Sequence, residues 1–231
     1  MMYIFCNVSE LIAFCHYAAT FPTSFLVLID TYNTIYSGLI NYILVGKCLQ
    51  EMGYQPMGIR LDSGDLAYLS RECRTQLNIH NLASSLIVAS NDIDIEVLAS
   101  LKEQKHAIDV FGIGTNLVFP KTTLGGVYKL VECRGTPTLK ISETTQKIPL
   151  LGKKNGYRLY NKKEEAFIDL LTFNTASAPT PGSEVLCHHP FDSTKKCYFV
   201  PTKVESLLIP VVKNGKVIHR ESLATVRERV M

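Results

Sequence analysis

Met57-Gly58-Ile59-Arg60-Leu61 is an apolar run broken by one arginine, and it passes directly into Asp62-Ser63-Gly64-Asp65 and a helical pattern from Asp65 to about Leu77. A strand apolar on both faces belongs in a sheet covered on both sides, and a strand handing over to a helix through a short polar turn is half of a βαβ unit. The same unit recurs on either side. Upstream, Phe25-Leu26-Val27-Leu28-Ile29 leads through Asp30-Thr31-Tyr32 to a helix from Gly38 to Met52, which ends at Gly53, a residue suited to a C-terminal cap. Downstream, Leu86-Ile87-Val88-Ala89 precedes a helix from Asp94 to Lys105, and Ile108-Asp109-Val110-Phe111 is a fourth strand. An amphipathic helix over residues 10–19 stands ahead of them all. Strand and helix alternating at this interval predict a parallel sheet.

From Gly125 onward the period changes. Val127-Tyr128-Lys129-Leu130-Val131, Thr138-Leu139-Lys140-Ile141, Tyr157-Arg158-Leu159-Tyr160, Phe167-Ile168-Asp169-Leu170-Leu171 and Cys197-Tyr198-Phe199-Val200 alternate with turn-rich gaps, which predicts antiparallel strands. Lys213-Asn214-Gly215-Lys216 carries the Asn-Gly pair that favours a tight hairpin, and Ser177 to Gly182 reads as a loop. The expected division is therefore an α/β domain over 1–123 and a β-rich region over 124–231 that closes with the start of a helix.

Composition excludes several classes. With 46% hydrophobic and 19% charged residues, the 231-residue chain can bury a sizeable core and is not disordered. The net charge of +3 is scattered, which gives no sign of a nucleic-acid or acidic-membrane partner. Seven cysteines, an odd number without a CxxC pair, point to reduced thiols in the cytoplasm. Cys187-His188-His189 lacks the second ligand pair that a metal site needs. Met1 to Phe21 has no basic leader and carries Glu10 and His16, so it is not read as a signal peptide, and no run approaches a membrane span of about 20 residues.

Ligands of parallel sheets bind at the carboxyl ends of the strands, where loops and helix N-termini converge. Each of the four strands ends in a polar cluster: Asp30-Thr31-Tyr32, Asp62-Ser63-Gly64-Asp65, Ser90-Asn91-Asp92 and Gly112-Ile113-Gly114-Thr115-Asn116. For Asp30 and Asp92, helix capping and ligand binding are equally good accounts. The second cluster holds more than a cap requires. Arg60 and Asp62 lie two apart and point the same way from an extended strand end. Such a carboxylate can accept both hydroxyls of a ribose while the guanidinium grips a carboxylate or phosphate. The competing account is an internal salt bridge plus a cap. Gly112-x-Gly114-Thr115 leaves backbone N–H groups free for a phosphate, with the threonine hydroxyl as a further donor, although it is neither a Walker A loop nor a dinucleotide fingerprint. Together the two loops suggest a phosphorylated sugar.

Leu28-Ile29-Asp30-Thr31-Tyr32, Gly58-Ile59-Arg60-Leu61-Asp62-Ser63-Gly64-Asp65-Leu66, Ala89-Ser90-Asn91-Asp92-Ile93-Asp94 and Phe111-Gly112-Ile113-Gly114-Thr115-Asn116-Leu117-Val118 resemble, in order and interval, the nicotinate phosphoribosyltransferase family. Leu124-Gly125-Gly126-Val127-Tyr128-Lys129-Leu130-Val131 extends the resemblance, which runs from about Glu10 to Arg229. At Ile95 the family tends to have an acidic residue, and the neighbouring Glu96 is the candidate replacement.

The resemblance implies a partial β/α barrel of the type II phosphoribosyltransferase kind with an appended antiparallel β-rich region, working as a cytoplasmic homodimer in the full-length protein. It implies transfer of phosphoribosyl from phosphoribosyl pyrophosphate (PRPP) to nicotinic acid, giving nicotinate mononucleotide and pyrophosphate for NAD biosynthesis, with ATP hydrolysis and Mg²⁺. By the same resemblance Arg60 faces the nicotinate or pyrophosphate and Asp62 the ribose or the ring. Ser63, Gly64 and Asp65 belong to the substrate-binding loop, Ser90 and Asn91 line the ribose-phosphate pocket, and Gly112, Gly114, Thr115 and Asn116 take the 5′-phosphate. The family couples ATP through a histidine in a Gly-Thr-x-x-His segment, and none of the six histidines here has that context. The chain therefore reads as an internal or C-terminal fragment, inactive as an isolated enzyme. Two alternatives stand beside this reading: a related phosphoribosyltransferase acting on nicotinamide or quinolinate, and a non-catalytic binding or dimerising module.

Overall fold

The computed structural model describes residues 6–118, 126–143 and 147–230. The expected boundary at 123/124, Leu124-Gly125 of the last motif, Met1 to Phe5 and Met231 lie outside the described residues. Two compact units divide the chain. The first comprises residues 1–129 and 140–149, the second residues 130–139 and 150–231.

The first unit runs α1 (Val8–Thr20), β1 (Leu26–Leu28), α2 (Leu39–Glu51), β2 (Gly58–Leu61), α3 (Leu66–Ile79), β3 (Leu86–Ala89), α4 (Ile95–Glu103), β4 (Val110–Phe111) and the short α5 (Thr115–Val118). The strands form one parallel sheet in the order β1-β2-β3-β4, with Arg60 in register with Leu28 and Val88. Strictly sequential order is that of a β/α barrel wall and not of a doubly wound sheet, whose order reverses at a switch point.

Why these segments take these forms is local. Asp65 and Asp94 cap α3 and α4, accepting from the N–H groups of Tyr68 and Val97. A π turn at Thr34–Gly38 precedes α2, so the helix expected from Gly38 begins one residue later. Gly38 is there because nothing larger fits: a Cβ would lie 2.0 Å from the Ile29 carbonyl oxygen. Gly38→Ala is expected to lower unfolding free energy by about 2 kcal/mol, read as a shift in urea midpoint.

The core of this unit is the layer between sheet and helices. Phe25, Ile29, Tyr42, Ile59, Leu61, Leu77 and Ile87 are buried in it, and the Phe25 and Tyr42 rings stack at 5.4 Å. Among the described residues two carboxylates share the interior of this unit, Asp30 after β1 and Glu10 on α1. The Glu10 Oε2 accepts from Ser37 Oγ at 2.6 Å and from Asn41 Nδ2 at 3.0 Å, while Oε1 has no partner. Burial raises the Glu10 carboxyl above its ordinary value of 4.5, the two hydrogen bonds opposing the shift. A folded pKa above the unfolded one means that the native state holds the proton longer. The contribution of Glu10 is thus full below the unfolded pKa and lost as pH rises through the folded pKa. Glu10→Gln should flatten the fall in thermal midpoint from pH 4 to 7, as scanning calorimetry across that range would show.

The second unit is antiparallel throughout: β5 (Glu132–Cys133), β6 (Thr136–Pro137), β7 (Lys154–Tyr160), β8 (Ala166–Phe173), β9 (Val185–His188), β10 (Lys196–Phe199), β11 (Lys203–Ser206), β12 (Val212–Lys213), β13 (Lys216–Val217) and the terminal α6 (Leu223–Val230). A three-stranded sheet, β11-β7-β8, and a pair, β10-β9, share a small core around Tyr157, Leu159 and Cys187. The Asn-Gly hairpin forms as expected, with positive φ at both Asn214 and Gly215.

Two expected strands do not form. Residues 127–131 and 138–141 are irregular, and the pairing in this region is the short β5–β6 hairpin over Arg134-Gly135, both at positive φ. Val127 and Tyr128 are 82% and 95% exposed, so the alternation there marks no half-buried face.

Candidate functional site

Three strand ends of the first unit meet Val127, Lys129, residues 140–142 and Lys147 around a hollow of about 310 Å³, at the small end for a ligand site. The β1 end supplies Asp30 and Thr31, the β2 end Asp62, and the β3 end Ser90, Asn91 and Asp92. Lys129, Lys140 and Lys147 share the lining. All of these residues belong to one unit.

Asp30 is the hub. It is 4% exposed, and its Oδ2 accepts from the backbone N–H of Asp62 at 3.2 Å and from Ser63 Oγ. That fixes the turn after β2 to the end of β1. Ser63 thereby serves the turn, and Asp65 serves α3 as its cap. Gly64, at φ +75°, lets the backbone reverse between them, since an L side chain there would be strained.

Asp62 then faces the hollow with several partners. Its Oδ1 accepts from Ser90 Oγ at 3.2 Å, its Oδ2 lies 3.7 Å from the Arg60 guanidinium, and its backbone carbonyl accepts from Lys147 Nζ. The Arg60 separation is too long for a hydrogen bond, and Arg60 Nε is buried without a partner. The guanidinium thus has donors to spare. Lys147 also reaches Asn91 Oδ1 at 3.1 Å, and its carbonyl accepts from Lys129 Nζ, so the lysines are tied to the strand ends by named bonds. Glu143 anchors the same segment: it accepts from the N–H and hydroxyl of Thr34 at 3.0 and 2.7 Å, and its own N–H donates to the Asp30 carbonyl at 3.3 Å.

The glycine loop is placed differently. A Cβ on Gly112 would come 3.2 Å from that of Ser90, so this glycine lets the loop close on the β3 end. Asn116 Nδ2 donates to the Ile93 carbonyl at 3.0 Å. Gly114 and Thr115, however, are not on the lining of the hollow that holds Asp62, and neither is Arg60. A second hollow of about 520 Å³ adjoins the first through Asn91 and Asp92 and is lined by Gly64, Asp65 and α4.

Among the described residues no cluster of three or more His, Cys, Asp or Glu is arranged to hold a metal ion, and no helix is long and apolar enough to cross a membrane.

Residues 153–231 match the family described as the nicotinate phosphoribosyltransferase C-terminal domain. Nicotinate phosphoribosyltransferase 1 of Arabidopsis thaliana is 42% identical over 231 residues, an alignment covering 96% of this chain and 41% of that protein. The Dictyostelium discoideum nicotinate phosphoribosyltransferase is also 42% identical, over 91% of this chain and 38% of its own length. This chain belongs to the nicotinate phosphoribosyltransferase family. It spans about two-fifths of the length of the curated relatives it matches. The crystal structure of human nicotinic acid phosphoribosyltransferase is 34% identical and covers 97% of this chain and 43% of that one, at a TM-score of 0.41, a superposition too loose to carry an argument.

The residues that local pattern did not single out are Lys140, Lys147 and Glu143. Their partners are far away in the chain: Lys147 and Asp62 are 85 residues apart, and Glu143 and Thr34 are 109 apart. Lys129 stands inside a quoted motif without a distinct signal there, whereas Asp30, open in the sequence to capping or ligand binding, instead holds the turn after β2.

Proposed function

We propose that this chain carries the phosphoribosyl-binding part of an enzyme that transfers phosphoribosyl from PRPP to nicotinic acid. The observation that supports it most is that Asp62 and Lys147 line one hollow and are joined there, Lys147 Nζ donating to the Asp62 carbonyl and to Asn91 Oδ1 while Ser90 Oγ donates to the Asp62 carboxylate. Displacement at an anomeric carbon develops positive charge on the sugar and negative charge on the departing pyrophosphate. A hollow whose lining carries both carboxylates and ammonium groups can meet both. In this reading Asp62 accepts from the ribose hydroxyls, Lys129, Lys140 and Lys147 bind the pyrophosphate, and the unused donors of Arg60 take a carboxylate or phosphate oxygen. Ser63, Gly64 and Asp65 hold the turn that aims Asp62. Gly112, Gly114, Thr115 and Asn116 are proposed for the 5′-phosphate on the resemblance.

The hollow's donors suit Mg²⁺, which takes hard oxygen ligands from one or two carboxylates together with substrate phosphates, and Asp62 and Asp92 are placed to supply them. Bound there, the ion would neutralise charge on the leaving group. No histidine lines the hollow, so no step through ATP is drawn for these residues. ATP use, a homodimer and a cytoplasmic location are proposed for the whole protein from the family resemblance.

Isothermal titration of the 231-residue chain with PRPP, ribose 5-phosphate and pyrophosphate tests the reading. PRPP should bind at least tenfold more tightly than either half; equal or absent binding of all three contradicts it.

A further inference from the structure

We propose that Cys187 and Cys197 are a redox pair in the second unit, closing to a cross-strand disulfide by exchange with a low-molecular-weight disulfide such as oxidised glutathione. The two residues are direct partners in the β9–β10 register. His189 N–H donates to the Lys195 carbonyl at 2.9 Å, which makes 189/195 a hydrogen-bonded pair. By alternation 187/197 is one too, with Cα atoms about 5.5 Å apart and side chains on the same face. That Cα separation lies inside the range a disulfide spans, the two thiols are already in side-chain contact, and the strands must draw the Cβ atoms together by about 1 Å for the bond to form. The register is held independently by the intervening turn, where Asp192 accepts from the N–H and hydroxyl of Thr194 and from the Lys195 N–H.

The two thiols differ in the way that stepwise exchange requires. Cys197 is exposed, whereas Cys187 is buried in the core with Tyr157 and Leu159. Burial pushes the Cys187 thiol up, and its Cys197 neighbour adds to the shift. Cys197 is therefore the first attacker and Cys187 the resolving thiol. A hollow beside them is lined by Lys195 and Lys196 as well as both cysteines, so the anionic carboxylates of glutathione meet ammonium groups there.

The chemistry balances. Cys197 thiolate attacks one sulfur of oxidised glutathione, the glutathione S–S bond breaks, and one glutathione leaves as a thiolate that takes a proton from water. Cys187 then releases its proton to solvent and attacks Cys197 Sγ, expelling the second glutathione. Two protein thiols are oxidised and one glutathione disulfide is reduced to two thiols.

The test incubates the reduced 231-residue chain with oxidised glutathione, alkylates it and digests it with trypsin, which separates Cys187 (peptide 164–195) from Cys197 (peptide 197–203). These peptides should be recovered joined and should part on reduction. In Cys187→Ser, Cys197 should stop at the glutathione adduct; in Cys197→Ser, Cys187 should stay reduced and alkylate only after unfolding. The proposal is overturned if the unmutated chain keeps glutathione on Cys197 with Cys187 still reduced. It is equally overturned if neither cysteine reacts while the exposed Cys15 and Cys48 do, or if the joined peptides involve Cys133 instead.

Discussion

With Mg²⁺ withheld, alanine at Asp62 is expected to weaken binding of PRPP by about 100-fold, while inorganic pyrophosphate binds as well as before or better. A hydrogen bond to a charged group contributes about 1.5–3 kcal/mol, and tenfold in affinity is about 1.4 kcal/mol. A carboxylate accepting from two ribose hydroxyls therefore accounts for roughly two decades. Pyrophosphate has no ribose to lose, and the removed carboxylate repels it. The substitution leaves the frame intact, because the Asp30 and Lys147 contacts at this position are to backbone N–H and carbonyl. Paired titrations of wild type and variant with both ligands check this. Equal loss for the two would place Asp62 on the phosphates or in the fold alone.

Asp30→Ala should cost about 3 kcal/mol of unfolding free energy and abolish PRPP binding together. The buried carboxylate satisfies the Asp62 N–H and the Ser63 hydroxyl, and alanine leaves both donors unpaired at the point where the turn after β2 is aimed. Asp30→Asn retains an acceptor oxygen and should recover most of the stability. Urea unfolding followed by circular dichroism measures the first effect, calorimetric titration the second. A stable Asp30→Ala chain that only binds more weakly would make Asp30 a ligand contact instead of a support.

The parallel sheet was legible because strands buried on both faces leave continuous apolar runs. Ile59 and Leu61 of β2, and Ile87 and Ala89 of β3, are fully buried, and the runs that predicted them sit at the right places to within one residue. Caps and turns were legible for a related reason: Asp65, Asp94 and Asn214-Gly215 act through atoms within a few residues of themselves. The second unit was harder. Alternation at 127–131 and 138–141 satisfies the pattern of a half-buried strand, but a strand also needs a paired neighbour, and pairing is not written locally. Conversely, β11 carries a single apolar residue, Val204, so no apolar run marks it. The same distinction divides the site. Arg60 and Asp62 share a strand end and could be read together, whereas Lys147 and Glu143 reach their partners only through the fold.

Protection of lysines from acetylation by PRPP is the most direct test that the strand ends and the 127–147 segment act as one site. With PRPP bound, Lys129, Lys140 and Lys147 should each lose at least tenfold in acetylation rate while Lys195, Lys196 and Lys213 are unchanged. Uniform rates with and without the ligand, or protection confined to residues outside that hollow, would contradict the account.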